Sequence, residues 1–401
     1  MAEYVEQRLL AGCSVIHIVN DGSGVIIAAM LPLIQQEFFL NYFQIGILLA
    51  ANLVILGCFQ IFFGYLAERF SEKNLLSIGL TIVMISSFLI SNSQTFFELF
   101  FFNCMAAIGA SAFHPANFAL ISRVYEGNVY RDKVMGLVTG AGDLGVLIAF
   151  FSTGFIGQLF GWRLSFLIWA ILAVITITIH IFLSKNSPYF CFNTGSSEVT
   201  SEIRMEETPK YSSKVKWGLL LILILTFCVG AAYRTYLAFT PLFLTNIKGL
   251  STATADSIMG LMIAVGVISI SLSGYIFKYG KRRIELISLF LLGIVSILFT
   301  LVSPIEMLIL LLLVGFSLYI TYQIIITMVA DLTHFEKRGR SYGVFMSIRW
   351  AGDAFAAFIG GILSEIFGLF TIYLFVAVIM FSCLGLVSIS NADLWSRKEV
   401  F

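Results

Sequence analysis

Apolar residues fill this chain in long unbroken runs, and polar residues gather in the short gaps between them. The runs cover, within a few residues, 9–34, 43–67, 74–92, 96–120, 133–156, 163–183, 216–245, 255–277, 283–302, 305–330, 341–365 and 370–390. At about 1.5 Å per helical residue, each reaches across about 30 Å of hydrocarbon. None shows the two-residue alternation of a membrane strand, which argues against a barrel. The pattern predicts an all-α polytopic membrane protein of twelve transmembrane helices. The first run is longer than a signal-peptide core and has no small-residue cleavage site, so it reads as a retained helix. The longest polar stretch, 184–214, holds Ser, Thr, Pro and Glu and reads as a flexible linker. It separates an N-terminal six-helix half, 1–183, from a C-terminal six-helix half, 215–401.

Composition agrees: 59% of residues are hydrophobic and only 12% charged, where a soluble domain has about one quarter charged. The lipid bilayer is therefore the principal partner. A net charge of +1 gives no footing for a nucleic-acid partner. Five of the six cysteines, Cys13, Cys58, Cys104, Cys228 and Cys383, fall inside apolar runs, while Cys191 lies in a polar stretch. No redox or metal spacing occurs among them, nor among His17, His114, His180 and His334, so neither a metal nor another cofactor is expected. No phosphate-binding loop ending in Gly-Lys-Ser/Thr is present, which leaves ATP drive unsupported. No clustered carboxylates or nucleophile–base pair suggests an enzyme.

Lys and Arg sit on one side. Of the 24, only Arg163 and Lys248 fall in the loops opposite the termini, and only Arg234 and Arg349 fall within helices. The positive-inside rule places both termini and the linker in the cytoplasm of a plasma (inner) membrane. The halves also repeat. Gly64-Tyr65 matches Gly274-Tyr275, Gly142-Asp143 matches Gly352-Asp353, and Leu31-Pro32 matches Thr240-Pro241, all at an offset of 209 or 210 residues. Duplicated six-helix halves are a transporter design.

The stretch Gly64-Tyr65-Leu66-Ala67-Glu68-Arg69-Phe70-Ser71-Glu72-Lys73 resembles the loop motif after the second helix in the major facilitator superfamily. Glu68 stands where that motif has Asp, and its second glycine is missing. The resemblance implies the major facilitator fold, a gating role for Gly64, Glu68, Arg69 and Lys73, and a monomer. The plainer reading of the same stretch is a solvated basic turn. His17-Ile18-Val19-Asn20-Asp21 and Phe113-His114-Pro115 resemble the fosmidomycin-resistance branch, which implies proton-driven drug export. The fifth helix is as glycine-rich as the family's antiporter signature, through Gly136, Gly140, Gly142 and Gly145, but lacks its proline. The resemblance also implies a cavity lined by the first, fourth, seventh and tenth helices.

Charges within the helices are the candidate chemistry, because each costs about 2.5–3.5 kcal/mol near the bilayer centre. They are Asp21, Asp143, Arg234, Arg349 and Asp353. His17 and Asp21, one helical turn apart, share a face and form the candidate proton site, with Asp143 a second. The alternative for Asp21 and Asn20 is a bond to a neighbouring helix. Arg234, flanked by Tyr233 and Tyr236, suits a phosphonate, phosphate or carboxylate, unless it pairs with Asp143 or Asp21. Asn20, His114, Tyr319, Tyr322 and Gln323 complete the candidate substrate contacts. Arg349 and Asp353, also four apart, form either a structural pair or a gating pair that rearranges. The expected function is proton-coupled secondary active transport by alternating access. Export of a small drug-like or phosphonate compound competes with uptake of a small organic anion.

Overall fold

The computed structural model describes residues 2–67, 69–125, 131–184, 213–332 and 338–395, which are helical almost throughout and contain no strand. Its α-helices are α1 (Ala2–Phe38), α2 (Tyr42–Ala67), α3 (Glu72–Ser91), α4 (Phe96–Ser111), α5 (Phe113–Val124), α6 (Arg131–Phe160), α7 (Trp162–Ser184), α8 (Ser213–Asn246), α9 (Thr252–Ser271), α10 (Ser273–Ile276), α11 (Lys281–Leu298), α12 (Pro304–Leu332), α13 (Arg338–Phe367) and α14 (Thr371–Ile389). The predicted fourth helix is broken at Ala112, one residue before Phe113-His114-Pro115, into α4 and α5. A proline removes a donor and crowds the preceding turn, so the break follows from Pro115. The predicted eighth helix stops at Ser271, and a short α10 and a 3-10 turn continue it. Most of the predicted linker and Glu68 lie outside the described residues, as does His334.

Among the described residues, eleven spans are long and apolar enough to cross a membrane. The twelfth, α11, is short and opens on Lys281, Arg282, Arg283 and Glu285. It packs against α12 and α14 as α3 packs against α4 and α7, so it holds the equivalent place in the second set of helices.

Packing repeats with the sequence. α1 lies along α6, and α8 lies along α13. Both contacts depend on a missing Cβ: one added at Gly145 would fall on the Ile18 carbonyl oxygen, and one added at Gly352 on that of Phe227. Backbone cannot yield as a side-chain tip can. Gly145→Ala and Gly352→Ala are therefore expected each to lose at least the roughly 1–3 kcal/mol of an overpacked core, read as a lower melting temperature and a smaller monodisperse fraction. Pro32 inside α1 and Pro241 inside α8 complete the correspondence.

The two sets of helices meet through α2 against α13 and α6 against α9. At the end away from the termini they are sealed. The Tyr42 amide donates to Glu365 Oε2 (2.8 Å), Asn246 Nδ2 to Gln35 Oε1 (2.7 Å) and the Ala253 amide to Gln158 Oε1 (3.0 Å). Gly46 and Gly361 pack backbone to backbone there, with an added Cβ on Gly46 only 2.8 Å from Gly361 Cα.

Candidate functional site

Between the two sets of helices lies a cavity of about 1980 Å³. Its deep wall includes Leu53, Asn103 and Leu237, and its mouth is formed by Gly64, Ala67, Met135, Gly136, Gly343 and Val344. Those mouth residues are at the end that carries Arg69, Lys281 and the start of α1. The cavity is lined by the expected first, fourth, seventh and tenth helices, and also by α2, α6, α9 and α13, through Gln60, Asp143, Ser271 and Arg349.

On the wall made by α1, α5 and α6, three titratable side chains converge. His17 Nε2 lies 3.0 Å from Asp21 Oδ2, and His114 Nε2 3.9 Å from Asp21 Oδ1. Asn20 Nδ2 donates to Asp21 Oδ1 at 2.9 Å. His17 is 1% exposed and packs its ring on Phe113 at 4.4 Å between centroids. Its Nδ1 is 2.6 Å from the Val138 carbonyl oxygen, which can only accept. Nδ1 therefore carries the hydrogen, and Nε2 turns a lone pair toward the carboxylate unless a second proton is present. A contact of 3.0 Å between those two atoms is favourable only when they share a proton. Gly142 allows this approach, since a Cβ there would stand 2.5 Å from His17 Nε2 and 2.6 Å from Asp21 Oδ2. Asp143, the next residue, faces the cavity.

His17, Asp21 and His114 offer ligand atoms within 4.8 Å of one another, so they are a candidate metal group that the histidine spacing in sequence did not reveal. The arrangement does not match a tetrahedral zinc as it stands. Bonds of about 2.0–2.2 Å at a tetrahedral angle put ligand atoms about 3.4 Å apart, and the 3.0 and 3.9 Å contacts lie on either side of that.

On the opposite wall the charge pairing differs from the sequence expectation. Arg234 reaches neither Asp143 nor Asp21: its Nη2 is 3.6 Å from Asp353 Oδ2. Arg234 is 7% exposed and Asp353 0%, so this is a buried pair beside the cavity. Gly230 gives it room, since an added Cβ would lie 2.8 Å from Asp353 Oδ1. Arg349, expected to be paired with Asp353, points instead among rings. Its guanidinium carbon is 4.9 Å from the centroid of Tyr233, 5.0 Å from Tyr322 and 5.4 Å from Trp350. Tyr319 stands edge-on to Tyr233 at 6.1 Å, and Gln323 also lines the cavity.

Tyr236 is a correction. It is wholly buried away from the cavity, with its hydroxyl 2.7 Å from Ser296 Oγ and its ring against Phe299 and Tyr373. Three residues beyond Tyr233, it lies almost one turn on but points behind α8 rather than into the cavity. Of the expected gating residues, Gly64 lines the mouth facing Pro115. Arg69 stacks its guanidinium 4.2 Å over the Tyr65 ring, and Lys73 lies in the first turn of α3.

Some polar residues were missed by counting charges within runs. Asn52 Nδ2 donates to the Asn103 carbonyl oxygen (2.9 Å) and Asn103 Nδ2 to that of Leu48 (3.2 Å), joining α2 to α4 on the cavity wall. Asp256 is wholly buried against Gly154 of α6, with no hydrogen-bond partner for either oxygen. It went unnoticed because it sits at the start of its apolar run.

Relatives share this architecture. The chain is 22% identical over 252 residues to the nitrite extrusion protein of Bacillus subtilis (strain 168), a match covering 63% of this chain and 60% of that protein, less than two thirds of its length. It is 25% identical to multidrug resistance protein 2 of Bacillus subtilis (strain 168), over 94% of this chain and 92% of the relative. It is 27% identical to the fosmidomycin resistance protein of Escherichia coli (strain K12), over 27% of this chain and 26% of that one. Among solved structures, a bacterial homolog of the human lysosomal transporter Spinster, in an inward-facing and occupied conformation, superposes with a TM-score of 0.82 at 16% identity, covering 98% of each chain. A sequence profile described as the Major Facilitator Superfamily matches residues 13–357 and, in a second alignment, 278–397. With the duplicated packing and the cavity between the two sets of helices, that match makes this chain a member of the Major Facilitator Superfamily, a family of transporters and not of enzymes.

Proposed function

We propose that this transporter is a proton-coupled secondary active carrier that works by alternating access as a monomer, exporting a small drug-like or phosphonate compound. The observation that carries the proposal is the His17–Asp21 contact, tied at Nδ1 to Val138 and facing the cavity through His114. The site gains and loses a proton as the cavity changes sides, and a proton crossing with the membrane potential supplies about 2.3 kcal/mol per 100 mV. Both termini face the cytoplasm of the plasma (inner) membrane, so the open mouth is cytoplasmic and the sealed end faces out. Export is favoured by the relatives named for multidrug and fosmidomycin resistance. A second reading, proton-coupled uptake of a small organic anion, is favoured by Arg349, which lies among its rings with no described carboxylate within ion-pair distance.

The test uses purified protein in liposomes with an internal pH dye. Phosphonates, lipophilic drugs and small carboxylates are added on one side. A substrate-evoked pH change is expected, and its sign separates export from uptake. The absence of a change with every compound, in vesicles holding folded protein, would remove the proton-coupled reading.

A further inference from the structure

We infer that Arg349 is the recognition residue of the cavity, and that its ligand is a monoanionic carboxylate carried on an apolar, ring-sized body. The inference rests on the transport reading for its purpose, but on the geometry of α13 and α8 for its chemistry.

A guanidinium is a flat fork with donors at its edge and two faces that accept aromatic rings. Around Arg349, Tyr233, Tyr322 and Trp350 all lie within cation–π distance. Three rings within cation–π distance crowd the guanidinium and restrict the directions in which its edge can donate. No carboxylate of the described residues holds that edge as an ion pair, since Asp353, one turn along α13, is held by Arg234. The residue lies on the cavity wall. A restricted fork with no ion pair on its edge selects a planar two-oxygen acceptor, bound side by side.

Charge sets the valence of the ligand. Arg234 and Asp353 cancel each other, and His17 and Asp21 form a second neighbouring pair. Asp143 stands in the same cavity. One guanidinium facing one spare carboxylate tolerates a single negative charge better than two. The rest of the wall sets the body: beyond the Arg349 rings, His114 stacks on Phe118 at 6.0 Å, and Leu237, Val267 and Ile270 line the space between. These surfaces reward an apolar body, because burying it removes its area from water. Lysine in place of Arg349 keeps the charge and loses the fork, so it separates planar recognition from simple attraction.

Equilibrium binding to purified protein in nanodiscs tests this without any gradient. The probes are 2-naphthoate, acetate, 2-naphthylmethylamine and a naphthyl phosphonate, at a pH where the phosphonate is mostly dianionic. The expected result is that 2-naphthoate binds at least tenfold more tightly than the other three. Arg349→Lys should weaken 2-naphthoate at least tenfold, and Tyr322→Leu should weaken it without changing the order of the probes. Binding in nanodiscs needs no gradient and no proton movement across the membrane, so a failure of the proton reading leaves this result standing. Melting curves show that each variant is folded. Equal binding of 2-naphthoate by Arg349→Lys and wild type would overturn the assignment of Arg349. Equal binding of the amine or the phosphonate would overturn the monoanion, and equal binding of acetate would overturn the apolar body. No binding by folded wild type would overturn the whole inference.

Discussion

Arg234→Met is expected to leave little folded protein, and Asp353→Asn on top of it to recover most of what was lost. The two side chains are nearly or wholly shielded and 3.6 Å apart, and neither Asp353 oxygen has a hydrogen bond to fall back on. Removing Arg234 leaves Asp353 with Arg349 alone, one turn along α13 and beyond ion-pair distance, at a cost of up to about 3–5 kcal/mol. That is a large share of the roughly 5–15 kcal/mol that holds a domain together. The second substitution removes the stranded charge and so most of the cost. Monodisperse yield and melting temperature in detergent read both steps. A single variant that melts with the wild type would mean that Arg234 and Asp353 do not depend on each other.

A change of similar size is expected in the conformational balance from Gly46→Val. The seal brings α2 and α13 so close that a Cβ on Gly46 would lie 2.8 Å from Gly361 Cα and 2.9 Å from the Ala357 carbonyl oxygen. Both neighbours are backbone, so the helices must part. An overpacking cost of about 2 kcal/mol in the sealed state alone shifts the equilibrium about 30-fold toward the other state. A cysteine placed at Leu53, on the deep wall, reports this in a background lacking native cysteines. An impermeant thiol reagent added from the sealed side should modify it much faster in the valine variant. Unchanged labelling would show that Gly46 and Gly361 do not form the seal.

Both predictions depend on contacts between helices, and there the sequence was least informative. The helices themselves were legible, because a bilayer demands runs of fixed length and the loops between them carry the basic residues. The His17–Asp21 pair was readable because one turn separates them. The partner of Asp353 was not. Arg349 and Arg234 are both within reach in principle, and only the close approach of α8 and α13 through Gly230 and Gly352 decides between them. Tyr236 failed for a related reason: proximity to Arg234 in sequence does not say which side of α8 meets the cavity. His114 was legible as a motif, but its nearness to Asp21 depends on how α5 packs against α1. Asp256 was overlooked because a carboxylate near the start of an apolar run usually meets water, whereas this one is covered by α6.

The central claim is that the proton shared at His17 and Asp21 drives transport. Its most direct test compares wild type with Asp21→Asn in the same liposomes, with a compound that evokes a pH signal in the wild type. One arm measures accumulation driven by a pH gradient, and the other measures substrate exchange at equal pH on both sides. Asparagine keeps the shape and the bond from Asn20 but cannot exchange a proton with His17. The account predicts that Asp21→Asn loses gradient-driven accumulation and retains exchange. Gradient-driven accumulation by Asp21→Asn at the wild-type rate would contradict it.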